Sequence, residues 1–259
     1  MTEFSGGGDP RRSVELLWGT REPPRRGPKP KLSVDAIVRA GIEVADAEGL
    51  PALSMRRVAE QVGVTAMSLY TYVPGKAELL DVMIDRVSAG TARPAEVPGG
   101  WRGRLEQVAR ENWALYHRHP WVLQVATSRP PLGPGVTGKY DYELSAVDGI
   151  GLSDVEMDAV LSLVLGHVEG AARRSLDAAQ VVRRTGLTDE QWWAAAGPAL
   201  AKVFDADRYP RAARVGAAAG EEYGGAGSPR HAFEFGLRRI LDGVEALVRT
   251  REPANEPAG

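Results

Sequence analysis

Residues 54–80 read SMRRVAEQVGVTAMSLYTYVPGKAELL. Two short helical patterns flank a glycine, and a proline–glycine pair leads into a third. Ser54 is a favourable N-cap residue, and Met55, Val58, Ala59 and Val62 fall on one face of the helix behind it. Gly63 stops that helix and Thr65 opens the next. Pro74 disfavours helical geometry at Val73, so the second helix ends there. Pro74-Gly75 suits a type II turn. Leu79, Leu80, Met83, Ile84 and Val87 then mark the buried side of a further helix.

Two helices joined through a glycine, with a third packed across them, make a helix-turn-helix. Turning Thr65–Val73 by about 100° per residue puts Ala66, Leu69 and Val73 on one side, facing a core. Met67, Ser68 and Thr71 lie opposite, with Tyr70 and Tyr72 on the flanks. The outer face is small, hydrogen-bonding and aromatic, and carries no acid. Such a face fits a DNA major groove about 12 Å wide, where hydroxyls reach phosphates or bases and Met67 meets thymine methyls. An ordinary three-helix core element would show the same spacing.

Working outward, Ser33–Glu48 is predicted to be a helix, capped by Ser33 and ended by Gly49. Residues 91–100 (TARPAEVPGG) form a break and the expected domain boundary. Beyond it, helical patterns cover Trp101–His119, Lys139–Gly149, Ser153–Thr185, Thr188–Phe204 and His231–Arg251. Ser153-x-x-Glu156 and Thr188-x-x-Gln191 fit capping boxes. Arg208–Pro229, rich in Gly and Ala, is expected to be a long loop. No alternating strand pattern of useful length occurs. The fold class is all-α, with a helix-turn-helix head expected over 31–92 and a second helical domain over 100–251.

The 259 residues are 43% hydrophobic and 25% charged, the balance of a soluble globular chain. No apolar run approaches a membrane span, and the N-terminus lacks the apolar core of a secretory signal, so a cytoplasmic protein is expected. There is no cysteine, which excludes disulfides, thiolate metal sites and thiol nucleophiles. The net charge of −2 argues against nucleic acid only on average. Between residues 21 and 31, Arg21, Arg25, Arg26, Lys29 and Lys31 oppose Glu22 alone. Residues 1–30 are rich in Gly, Pro and Arg and are expected to form a flexible basic arm. Within it VELLW (14–18) is an apolar island, either stray or docked on the body.

The stretch VRAGIEVADAEGLPALSMRRVAEQVGVTAMSLYTYVPGKAELLDVMID resembles the DNA-binding domain of the TetR family of bacterial repressors. The carriers are Ala59, Gly63 and Val64, then Ser68-Leu69-Tyr70-x-Tyr72-Val73, then Lys76 and Leu79-Leu80. The resemblance implies a base-reading role for Arg56 and positions in the groove for Thr65, Ala66 and Met67. It implies phosphate contacts from Ser68, Tyr70, Tyr72 and Lys76, with Thr71 on the same surface. The family often has histidine where Tyr72 stands, so no pH-dependent contact is expected there. Arg25, Arg26, Lys29 and Lys31 either follow the DNA or enter its minor groove, or belong to a solvated linker.

HAFEFGLRRILDGVEAL (231–247) is similar to the tetracycline-repressor type of C-terminal domain. That similarity implies a homodimer built on Val164 and Val168 of one helix and Leu237, Ile240 and Val244 of another, placing two recognition helices on a palindromic operator. Gly166 and Gly170 would admit a close helix. It also implies a small-molecule effector, for which Trp113, Tyr116, His117, Trp121, Tyr140 and His167 are the candidate pocket residues. Aromatic rings with polar tips suit a pocket and suit a core equally.

A helical ligand-binding enzyme is the rival class. No His-Glu-x-x-His motif, phosphate loop or nucleophile elbow occurs, and the pairs His117/His119 and His167/Glu169 stand two apart on helices, where side chains do not face each other. No catalysis, metal or cofactor is therefore expected. An activator on the same fold would share every one of these DNA-binding features with a repressor.

Overall fold

The computed structural model describes residues 3–20, 32–126 and 129–251, in two compact units, 1–161 and 162–259. In the first unit, β1 (Glu3–Phe4) and α1 (Pro10–Leu17) precede the helix-turn-helix region. Then come α2 (Val34–Glu48), α3 (Met55–Val62), α4 (Ala66–Tyr70), α5 (Lys76–Ala89), α6 (Gly100–Arg118), β2 (Val125–Ala126) and α7 (Pro134–Leu144). The helix α8 (Asp154–Thr185) runs across the division into the second unit. There it is followed by α9 (Asp189–Ala201), α10 (Pro210–Tyr223) and α11 (Pro229–Arg249).

The head is built around α5, against which α1, α2 and α7 pack. Leu79, Leu80 and Met83 of α5 are almost fully buried, as are Ile37 and Val38 of α2. Gly41 makes the α2–α5 approach possible: a Cβ there would stand 2.9 Å from Met83 Sδ. α5 also has a polar stripe, in which Glu78, Asp81, Asp85 and Ser88 are all buried. Their spacing of three and four residues keeps them in line on the helix. Buried carboxylates need donors, and the stripe finds them in neighbouring backbone. Asp85 Oδ1 accepts from Val136 N at 2.8 Å, which fixes the first turn of α7.

That stripe also overturns the expectation of a flexible arm for residues 3–20. Asp81 accepts from Gly6 N (2.9 Å) and Ser13 Oγ (3.1 Å), and Glu78 accepts from Asp9 N (3.4 Å). β1 pairs in parallel with β2, Glu3 opposite Val125 and Phe4 opposite Ala126. Trp18 Nε1 donates to Leu132 O at 2.7 Å. Of the apolar island, Leu16 and Leu17 are buried on the inner face of α1, while Val14 and Trp18 stay exposed. Arg25, Arg26, Lys29 and Lys31 lie outside the described residues.

Other expectations also need correction. Arg208–Pro229 is not a loop: Pro210 opens α10 at its first position and Gly224, with φ 65°, closes it. Five alanines outweigh Gly216 and Gly220 within that helix. α7 begins at Pro134, five residues before the predicted start. The two short strands have no counterpart in the sequence pattern. Beyond the break at residues 91–100, α7 returns to pack on α5.

In the second unit, Val164, Val168, Leu237 and Val244 are buried by their own chain, so they are core residues and not an exposed dimer surface. Ile240 is half-buried. α8 meets α11 through His167, whose Nε2–H donates to Phe233 O at 2.9 Å while the two rings stack 6.0 Å apart. The exposed apolar residues on these two helices include Leu163 and Phe235, and a Cβ built on Gly166 or Gly243 would meet nothing beyond its own helix turn within 4 Å among the described residues.

Candidate nucleic-acid interface

Ser54 Oγ accepts from Arg57 N at 3.1 Å and starts α3. Gly63 ends it in the left-handed region, φ 72°, where a side chain would be strained. Val64 N then donates to Ala59 O at 3.0 Å, closing the elbow. Thr65 is extended and caps α4, and its Oγ1 lies 3.0 Å from Ser68 Oγ. α4 is shorter than predicted, ending at Tyr70. Leu69 and Val73, both fully buried, pin it to the head, with Ala66 packed partly against the same core.

The predicted type II turn at Pro74-Gly75 is absent. Gly75 has φ −170°, which is extended backbone, and it serves as the N-cap of α5, its carbonyl accepting from Leu79 N at 3.0 Å.

The outer surface is the one the helical spacing predicts. Met67 is 77% exposed, Thr65, Tyr70 and Thr71 are exposed, and Ser68 is half-buried beside Thr65. Tyr72 is half-buried against the core. The Arg56 side chain is 87% exposed and pairs with Glu60 one turn on at 3.0 Å, a contact that surface screening keeps weak. Arg57 acts within the fold instead. It binds Glu48 at 2.6 Å and Gln61 at 3.2 Å, joining α3 to the end of α2. Its hydrogen bond holds the Glu48 carboxyl below the usual carboxylate range.

Lys76 stands at the start of α5, but its Nζ is engaged by Glu3 Oε1 at 2.7 Å. Sequence reasoning missed this partner, and it missed a shallow groove lined by Arg12, Glu15, Tyr70 and Pro74. The available signal was Asp9-Pro10, a cap followed by proline at the first helical position. Asp9 does accept from Arg11 N and Arg12 N.

The pocket candidates fall in several environments. Trp121 is 1% exposed, and its Nε1 donates to Asp46 Oδ1 at 2.8 Å; the same carboxylate meets His119 Nδ1 at 2.9 Å. Trp121 is therefore a core residue that braces α2. Trp113, Tyr116 and His117 are half-buried on one face of α6, with the Trp113 and His117 rings 4.4 Å apart. Tyr140 is 43% exposed and bonds Asp158 through its hydroxyl at 2.8 Å, which raises its pKa. His167 lies in the second unit and is held by Phe233. A separate cavity of about 220 Å³ is lined by Pro94, Ala95, Arg104, Val108, Tyr142, Ser145 and Ala146. There Arg104 Nε is buried without an acceptor among the described residues. Among the described residues no helix is long and apolar enough to cross a membrane.

An exposed acid-free helix, projected by a left-handed glycine and pinned by two buried side chains, defines a helix-turn-helix DNA-binding protein. Residues 37–83 match bacterial regulatory proteins of the tetR family, and residues 93–248 match the tetracyclin repressor-like C-terminal domain. The chain belongs to the tetR family. It is 49% identical over 257 residues to the HTH-type transcriptional repressor DrrR1 of Streptomyces coeruleorubidus, covering 99% of this chain and 93% of that one. Apo ActR of Streptomyces coelicolor superposes with a TM-score of 0.69 at 26% identity, over 86% of this chain and 99% of ActR. ActR in complex with actinorhodin gives 0.68 at 26% identity, over 83% and 96%. The chain is a DNA-binding transcriptional regulator of that family.

Proposed function

We propose that this regulator is a repressor that binds a palindromic operator as a homodimer in the cytoplasm, acting by binding and not by catalysis, and leaves the DNA when a small molecule binds its C-terminal half. The observation that carries this reading is the 77% exposure of Met67 on a helix whose neighbours Leu69 and Val73 are fully buried. α4 offers side chains to a groove without unpacking the head. Arg56, Thr65, Ala66, Met67 and Thr71 face base edges in this scheme, while Ser68, Tyr70, Tyr72 and Lys76 hold phosphates. Tyr72 and Ala66 sit deepest and have the smallest share.

The surface that supports a dimer is the outer side of α8 and α11, around Leu163, Gly166, Phe235, Ile240 and Gly243. Glycines with open space above them let a helix from a second copy approach closely. A two-fold pair of heads reads half-sites about 34–36 Å apart. Trp113, Tyr116 and His117 on α6 are the aromatic face that best supports effector binding. Ligand acts through its different affinity for the DNA-fitting and non-fitting states.

The deciding experiment is selection of fragments retained by the purified protein from its source genome, followed by footprinting. A recovered motif with two-fold symmetry supports the scheme. Retention of no duplex, or of an asymmetric site bound by one protomer, overturns it. Reporter expression with and without the gene separates repression from activation.

A further inference from the structure

The folded N-terminal segment lies beside the DNA-facing surface and carries two exposed cations. α1 runs alongside α5 in the same direction. Its first turn is tied to Glu78 through Asp9 N. Its last turn reaches the Asp85 end, where a Cβ on Gly133 would stand 2.3 Å from Asp85 and 2.8 Å from Leu17. The first turn therefore sits at the end of α5 that carries Lys76. Here stand Arg11 and Arg12, both exposed, with no acid in that turn.

Two cations at a helix start oppose the positive end of the helix dipole. A local rule broken on a surface marks a site kept for another purpose. Arg12 shares its groove with Tyr70 of α4 and with Pro74, so the charge is continuous with the recognition surface. The opposing group in the groove is Glu15, one turn along α1. Asp9 is occupied with capping.

We propose that α1 is a further DNA-contacting element of the head, in which Arg12, supported by Arg11, binds a backbone phosphate of duplex DNA next to the one addressed by Tyr70. This rests on the DNA-binding reading and extends it to a segment outside the helix-turn-helix. The ligand is the phosphodiester backbone, so the contact adds affinity without sequence preference. Glu15 limits its strength.

The test uses the full-length protein and a fluorescein-labelled duplex taken from the retained genomic fragments, beside an unrelated duplex of equal length. Affinity is measured between about 50 and 200 mM salt. Arg12→Ala should lower the slope of log affinity against log salt by about 0.9, a difference of about 3-fold across that range, on both duplexes alike. Arg12→Lys should keep most of the slope, and Glu15→Gln should tighten binding to both. An unchanged slope in Arg12→Ala overturns the proposal, as does equal loss in Arg12→Ala and Arg12→Lys. Arg56→Ala, run in parallel, separates the two ideas. If it weakens operator binding while Arg12→Ala does nothing, the helix-turn-helix reading stands and the role of α1 falls. If the wild-type protein binds neither duplex, the DNA-binding reading itself fails.

Discussion

Ser13 Oγ donates to Asp81 Oδ2 at 3.1 Å, across 68 residues of chain, and Asp81 is 1% exposed. Burial pushes the Asp81 carboxyl up; the Gly6 and Ser13 hydrogen bonds oppose this, and the nearby Glu78 charge adds to it. The folded chain thus holds this proton to higher pH than the unfolded chain, whose aspartate titrates near about 3.9. Between those two values the native state binds more protons, so this group's contribution to stability falls as pH rises. Asp81→Asn should flatten that part of the pH profile, because an amide oxygen can still accept from Gly6 N while the NH₂ donates to Ser13 Oγ. Asp81→Ala strands two donors and should cost about 1–3 kcal/mol. Urea unfolding over the weakly acidic to neutral range measures both, and a steeper profile in Asp81→Asn would contradict the assignment.

Arg56 stands clear of the head, in a surface pair with Glu60. Its replacement by alanine should leave folding unchanged. Operator affinity should fall by about 1–3 kcal/mol, and discrimination should relax at one base position. Competition binding against a set of singly substituted operators checks this.

Lys76 should behave differently. Lys76→Ala should weaken all duplexes alike and reduce the salt slope by about 0.9. Because Glu3 holds Lys76 at 2.7 Å, Glu3→Gln frees the ammonium and should strengthen binding at low salt. Fluorescence anisotropy at several salt concentrations tests the pair. A shift in base preference in Lys76→Ala would mean the contacts are wrongly sorted.

In the second unit, a Cβ on Gly236 would fall 2.2 Å from His167 Cε1. Gly236→Ala must displace the imidazole from Phe233 and break their hydrogen bond. A loss of about 1–3 kcal/mol is expected, as for an overpacked core. The double variant Gly236→Ala, His167→Ala should recover part of it. A thermal unfolding series of the two single variants and the double variant decides.

The helix-turn-helix was legible because its signals are local. Ser54, Gly63 and Pro74 punctuate the chain, and the period of Leu69 and Val73 points one way. Even the boundary error in α4 is local, since Thr71 and Tyr72 form a turn in which Tyr72 N and Val73 N both donate to Leu69 O at 2.9 Å. The N-terminal segment was only partly legible, for the opposite reason: VELLW stood out as an apolar island, but nothing local chose between stray and docked. Its partners are buried carboxylates far along the chain, and composition alone reports only Gly, Pro and Arg. The same limit applies to the dimer residues: periodicity located the apolar rows of α8 and α11, but rows facing inward and rows facing a second copy share one spacing. Trp121 looked like a pocket ring because its partner, Asp46, lies 75 residues away.

The pairing of Glu3 with Val125 also sets an order of events. A ribosome releases the opening residues long before anything exists for them to grip. Glu78 and Asp81 emerge next, the β2 segment later, and Leu132 after that. Residues 3–18 therefore cannot complete their contacts until Leu132 has been made, and bonds between residues 114 and 121 positions apart close large loops at a matching entropic cost.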